Sequence, residues 1–167
     1  LGFSMTKQIA SPHRHISFTA HYTGAIWHKL GWSHPALASR KGRRYVALLH
    51  PLETVFKSVV GGSMRSTLRQ RHSLMDRQLD AFLQNHPDAQ VLEIAAGLSP
   101  RGWRYRQKHP GLTFVEADLP DMAAAKRQAL SQFESPLPRI ESVDLFSQQL
   151  DTLLQSFDAS KPLIILS

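Results

Sequence analysis

Apolar and small residues in the first third of the chain recur at steps of three and four. Ile16, Thr19, Ala20, Thr23, Ile26, Trp27 and Leu30 share one face, and Gly31 follows as a stop signal. This spacing predicts an amphipathic helix over 16–30. A second helical stretch is expected over 43–60, bent or broken at Pro51 and ended by Gly61 and Gly62. Leu68, His72, Met75, Leu79, Phe82 and Leu83 mark a third, long helix that closes at Asn85, His86 and Pro87.

Beyond Pro87 the pattern changes to short apolar runs that alternate with helical segments. VLEIA (91–95), LTFVEA (112–117), RIESVD (139–144) and PLIIL (162–166) read as strands, and 102–109, 121–133 and 147–157 as helices between them. Strands joined by helical crossovers imply a parallel sheet covered on both faces, because an antiparallel sheet would not need connections of that length. The expected class is α/β, with a helical N-terminal region (16–87) ahead of the sheet-forming part (88–167) in one domain. Residues 1–15 are expected to be a disordered or tag-derived tail, since Met5 reads as a native start.

With 167 residues and 42% hydrophobic content the chain can bury a single core. No apolar run approaches the roughly 18 residues of a membrane span, and the N-terminus lacks the apolar centre of a signal peptide. A cytoplasmic protein without membrane contact is expected. The absence of cysteine excludes disulfides and thiolate chemistry. A net charge of +7 raises nucleic acid as a partner, but the basic residues cluster at Arg40, Lys41, Arg43 and Arg44 or spread over Arg65, Arg69, Arg71 and Arg77, without interleaved aromatics. That placement argues against nucleic-acid binding. Among nine histidines no pair has the H-E-x-x-H spacing, so no metal site is expected.

The candidate chemistry sits where the strands end. Ala95, Ala96, Gly97, Leu98, Ser99 and Pro100 form a small-residue loop leaving the first strand, at the sheet edge where parallel α/β proteins bind ligands. Gly97 would let backbone approach a ligand, and the helix beyond it favours an anionic group. About twenty residues on, the second strand ends in E-A-D-L-P, where Glu116 or Asp118 could accept from ribose hydroxyls; alternation puts both on one face, so spacing does not choose between them. The third strand ends at Asp144. The loop is not a G-x-G-x-x-G turn, which argues against a dinucleotide enzyme, and no P-loop occurs.

Taken in order, E-I-A-A-G-L-S-P-R-G, F-V-E-A-D-L-P-D-M and V-D-L resemble the class I S-adenosylmethionine-dependent methyltransferases, and more narrowly the leucine carboxyl methyltransferase family with its bacterial O-methyltransferase relatives. Ile94, Ala95, Ala96, Gly97 and Arg101 fall on the family's L-G-A-G-x-D-T-R pattern, and Glu116, Asp118 and Pro120 on its Y-x-E-x-D-x-P pattern. Ala95 replaces the first glycine, and Ser99 and Pro100 replace Asp-Thr. The upstream T-A-H-Y-T-G-A-I-W-H-K-L-G and R-H-S-L-M-D-R-Q-L stretches also look like the family's helical region.

The resemblance implies a Rossmann-like fold and S-adenosylmethionine as cofactor. Ala95 and Gly97 would approach its methionine part, Glu116 or Asp118 the ribose, Asp144 the adenine amino group and Leu145 the ring. Arg71, with Arg69 as rival, would pair with the cofactor carboxylate. The implied activity is methyl transfer to a carboxylate or hydroxyl of a small-molecule or carboxylate-bearing acceptor. A hydroxyl acceptor would require a base, for which His21 and Tyr22 are the groups on the first helix. No catalytic residue follows from the motifs. A cofactor-binding module without turnover and a basic nucleic-acid-associated protein are the competing classes. The family's sheet continues past the fourth strand, so an incomplete sheet that self-associates through its edge is a further expectation.

Overall fold

The structure, a computed structural model, describes residues 14–48, 64–144 and 149–167. Helix α1 (Arg14–Lys29) is followed by a short 3-10 turn (Pro35–Leu37), α2 over 40–48, and the long α3 (Met64–Asn85). The α/β part runs β1 (Gln90–Ile94), α4 (Arg101–Lys108), β2 (Thr113–Asp118), α5 (Pro120–Leu130), β3 (Arg139–Ser142), α6 (Gln149–Gln155) and β4 (Leu163–Leu166). Every element expected from the pattern of apolar positions within the described residues is present. Pro51, Gly61 and Gly62 lie outside them.

The strands form one parallel sheet in the order β3-β2-β1-β4. A jump from β3 back to β4 on the far side of β1 makes β1 and β2 the interior strands, and these carry the most apolar and most buried residues. Strand alternation then sorts the core into two layers. Val91, Phe114 and Leu166 pack with Leu79 of α3 and Tyr105 of α4 on one face, while Leu92, Val115 and Ala117 pack with Leu153 of α6 on the other. The helices cover both faces, as the α/β reading requires. On the edge strand β4, Ile165 is half-exposed.

A third cluster joins α1 to α2 through Tyr22, Ala25, Ile26 and Val46. Trp27 is buried and stacks on Trp32, 5.8 Å between ring centroids. Helix α1 lies over the carboxyl edge of the sheet, where Ala20 reaches the loop after β1. Among the described residues no helix is long and apolar enough to cross a membrane.

Candidate functional site

The strand expected to run through residue 95 stops at Ile94 because the backbone turns into the left-handed region at Ala95 (φ 53°) and again at Gly97 (φ 52°). Glycine adopts that region freely; alanine does so at a cost. A Cβ on Gly97 would stand 3.2 Å from the Cβ of Ala20, so the missing side chain also lets α1 close over the loop. The Gly97 amide does not point free at a ligand. It donates to Asp118 Oδ2 at 2.6 Å, while the Leu119 amide donates to Asp118 Oδ1 at 2.8 Å. Asp118 thereby clamps the ends of β1 and β2 together, and each of its oxygens keeps a lone pair for another donor.

Beside this clamp lies a cavity of about 230 Å³. Its floor is the loop from Ile94 to Ser99, its wall α3 through Leu68, Arg71, His72 and Met75, and its roof Ala20, Thr23 and Trp27 of α1. Arg71 Nη2 donates to the Ser167 carbonyl at 2.9 Å, which places the guanidinium across the end of β4.

Buried charge organises the wall. Arg101, only 1% exposed, pairs with Glu93 of β1 through Nη1, donates from Nε to Asp76 Oδ1 at 2.7 Å, and donates from Nη2 to His72 Nδ1 at 2.7 Å. Burial alone would lower this guanidinium, but Glu93 and Asp76 outweigh it and hold Arg101 above its ordinary value. One acidic strand residue therefore ties β1, α3 and the start of α4 to a common cation. The other oxygen of Glu93, Oε2, is buried and unpartnered among the described residues, and Glu93 lines the cavity. His72 is packed against Trp27 with ring centroids 3.9 Å apart. Burial first, and Arg101 next, push its imidazole down to about 3.

Of the residues expected at the site, Arg71, Ala95, Gly97 and Asp118 line this cavity together. Glu116 is placed elsewhere: it lies under α4, accepts from the Gly102 amide at 3.2 Å and pairs with the buried Lys126 at 2.6 Å. Burial pushes the Glu116 carboxyl up, with Lys126 opposing. Asp144 follows β3 and takes no part in the cavity lining, and Leu145 lies outside the described residues. Arg69 sits over the Trp32 ring, 5.6 Å from its centroid, and does not line the cavity. Neither do His21, which bonds Ser39 Oγ at 2.8 Å, and Tyr22, which is buried against α2.

Glu93, His72, Asp76 and Trp27 lie inside the stretches that carry the resemblance, but were given no role in the site. Glu93 had a legible signal, an acid inside an apolar strand, which must find a cation when buried. His72 and Asp76 sit one helical turn apart on α3, a pairing visible only once α4 supplies Arg101.

A parallel sheet covered on both faces, with a glycine-bearing loop after its first strand and an acid clamping that loop from its second, defines an α/β protein of the class whose ligand sites lie at the carboxyl ends of the strands. The family model described as leucine carboxyl methyltransferase matches residues 36–167. The chain belongs to that family, one of class I S-adenosylmethionine-dependent methyltransferases. No curated protein matches it, and no solved structure does.

Proposed function

We propose that the protein is an S-adenosylmethionine-dependent O-methyltransferase that methylates a carboxylate or hydroxyl of its acceptor. The observation that carries this reading is the convergence on one cavity of Arg71, Gly97 and Asp118 with the unpartnered Glu93 Oε2. This set fits the cofactor's polar groups. Arg71 would pair with the carboxylate, the buried Glu93 oxygen would accept from the α-ammonium, and the spare lone pairs of Asp118 would accept from the ribose hydroxyls. Asp118 is assigned this role over Glu116, whose oxygens are taken up by Gly102 and Lys126. The cavity is smaller than the roughly 300–1,000 Å³ of complete small-molecule sites, so it would hold the amino-acid and ribose part. The adenine would extend toward Asp144.

When bound, the cofactor supplies an electrophilic sulfonium methyl. The chain's own contribution is alignment and exclusion of water: the loop, α1 and α3 enclose the reacting end, which favours in-line attack by an oxygen nucleophile. A carboxylate acceptor needs no base. On this assignment no described group in the cavity is left to take a proton from a hydroxyl, since Glu93 would be engaged by Arg101 and the ammonium, Asp118 by two backbone amides and the ribose, and His72 resists protonation. This favours a carboxylate acceptor.

Calorimetric titration with S-adenosylhomocysteine tests the assignment. Arg71→Ala is expected to weaken binding by about 1.5–3 kcal/mol, the range for hydrogen bonds to charged groups. Arg77→Ala, on an exposed part of the same helix, should leave it unchanged. Equal affinity in the two variants would place the carboxylate elsewhere.

A further inference from the structure

His72 lines the cavity, and its hydrogen-bonding sense is dictated by its neighbour. A guanidinium can only donate, so the 2.7 Å contact from Arg101 Nη2 requires an unprotonated Nδ1 acting as acceptor. In a neutral imidazole the remaining proton is then on Nε2. The ring stays neutral: burial, Arg101, Arg71 and Arg104 all oppose a second proton, and Asp76 alone favours one. Both Asp76 oxygens are already engaged, Oδ1 by Arg101 and Oδ2 by Arg104 at 3.1 Å. Trp27 holds the plane of the ring, and Nε2 has no hydrogen-bond partner among the described residues.

We infer that His72 is a ligand-binding residue whose Nε2–H, fixed by Arg101, donates to the same carboxylate that Arg71 engages. The inference rests on the reading that the cavity takes the amino-acid end of S-adenosylmethionine. Arg71 and the locked His72 offer only donors, which suit a carboxylate, whereas Glu93 Oε2 offers only an acceptor, which suits an ammonium. The wall is thus polarised for a zwitterionic α-amino acid in one orientation. A histidine in this state is a donor at every working pH and cannot act as the site's base.

The test is calorimetric titration of the full chain and of its His72→Phe and His72→Gln variants, with S-adenosylhomocysteine and with 5′-methylthioadenosine, which lacks the amino-acid end. His72→Phe should weaken S-adenosylhomocysteine roughly tenfold or more and leave 5′-methylthioadenosine within about twofold, since a hydrogen bond to a charged group is lost only for the first. Glutamine can accept from Arg101 through its carbonyl and donate through its amide, so His72→Gln should recover most of the loss. Nitrogen-15 correlation spectra of the wild-type imidazole should show the Nε2–H tautomer. An equal loss for both ligands in His72→Phe, no recovery in a cooperatively folding His72→Gln, or an Nδ1–H tautomer would overturn the inference alone. A wild type that binds neither ligand would end the reading of the cavity as well.

Discussion

Replacing Ala95 by glycine should stabilise the protein. Ala95 sits at φ 53°, where an L-residue's Cβ crowds the following carbonyl at a cost of about 1–2 kcal/mol. The methyl is exposed, so little apolar burial is lost with it. Glycine brings its own penalty of about 0.4–1 kcal/mol, through the wider freedom of the unfolded chain. At mid-range the difference is a net gain of about 0.8 kcal/mol. For a chain of 167 residues that corresponds to a rise in Tm of roughly 2–3 °C. Urea denaturation followed by tryptophan fluorescence reads it directly, and the slope with denaturant should not change. The family's loop commonly has glycine at this position, so the substitution should also leave S-adenosylhomocysteine binding intact. A lower midpoint with an unchanged slope would refute the reasoning, because it would mean that residue 95 is not held in the left-handed region.

Gly97→Leu should abolish binding of S-adenosylhomocysteine in calorimetry, because its side chain would start 3.2 Å from Ala20 Cβ and fill the mouth of the cavity; unchanged affinity would reject the loop as the site. Arg101→Met should destabilise the fold by about 3–5 kcal/mol in urea denaturation, since it leaves Glu93 and Asp76 without their buried cation. Arg104→Met, 42% exposed, should cost no more than about 1 kcal/mol. For pH, the lowered His72 value means the unfolded chain binds a proton below about 6.5 that the folded chain refuses down to about 3, so this contribution to stability is complete above pH 6.5 and falls as pH falls. Between pH 6.5 and 5 the unscreened loss is about 1.6 kcal/mol, and solvent at the half-buried ring reduces it to about 1 or less; denaturation at both pH values should show His72→Gln lacking that part of the acid sensitivity.

Element types were legible because the apolar period changes so plainly at Pro87, and because strands β1 and β2 are apolar on both faces. The choice between Glu116 and Asp118 was not legible. Two acids two residues apart share a face, and what separates them is contributed from elsewhere: α4 brings the Gly102 amide and α5 brings Lys126 to Glu116, whereas Gly97 and Leu119 turn their amides to Asp118. The substitution of alanine for the family's first glycine looks mild in sequence, because both residues are small. In the structure its significance is conformational, since the position is left-handed. Arg101 matched a motif position, but its role depends on three partners drawn from α3 and β1, which no spacing within the loop reveals.

That network also accounts for how a strained loop persists. Glu93 precedes the loop and Arg101 follows it, so their pairing fixes both ends, and Asp76 anchors the pair to α3. Relaxing Ala95 into an ordinary conformation would swing the chain between those ends and pull Arg101 from its partners. The relief available is about 1–2 kcal/mol, while separating a buried cation from its carboxylates costs about 3–5 kcal/mol. Because the separation costs more than the relief returns, the loop stays left-handed with Gly97 under α1 and its amide on Asp118. The same Arg101 that enforces the backbone strain also directs its remaining donor to His72. Loop shape and imidazole tautomer are therefore set by one side chain, and a change at Arg101 should disturb ligand binding as well as stability even though its own donors are consumed within the protein.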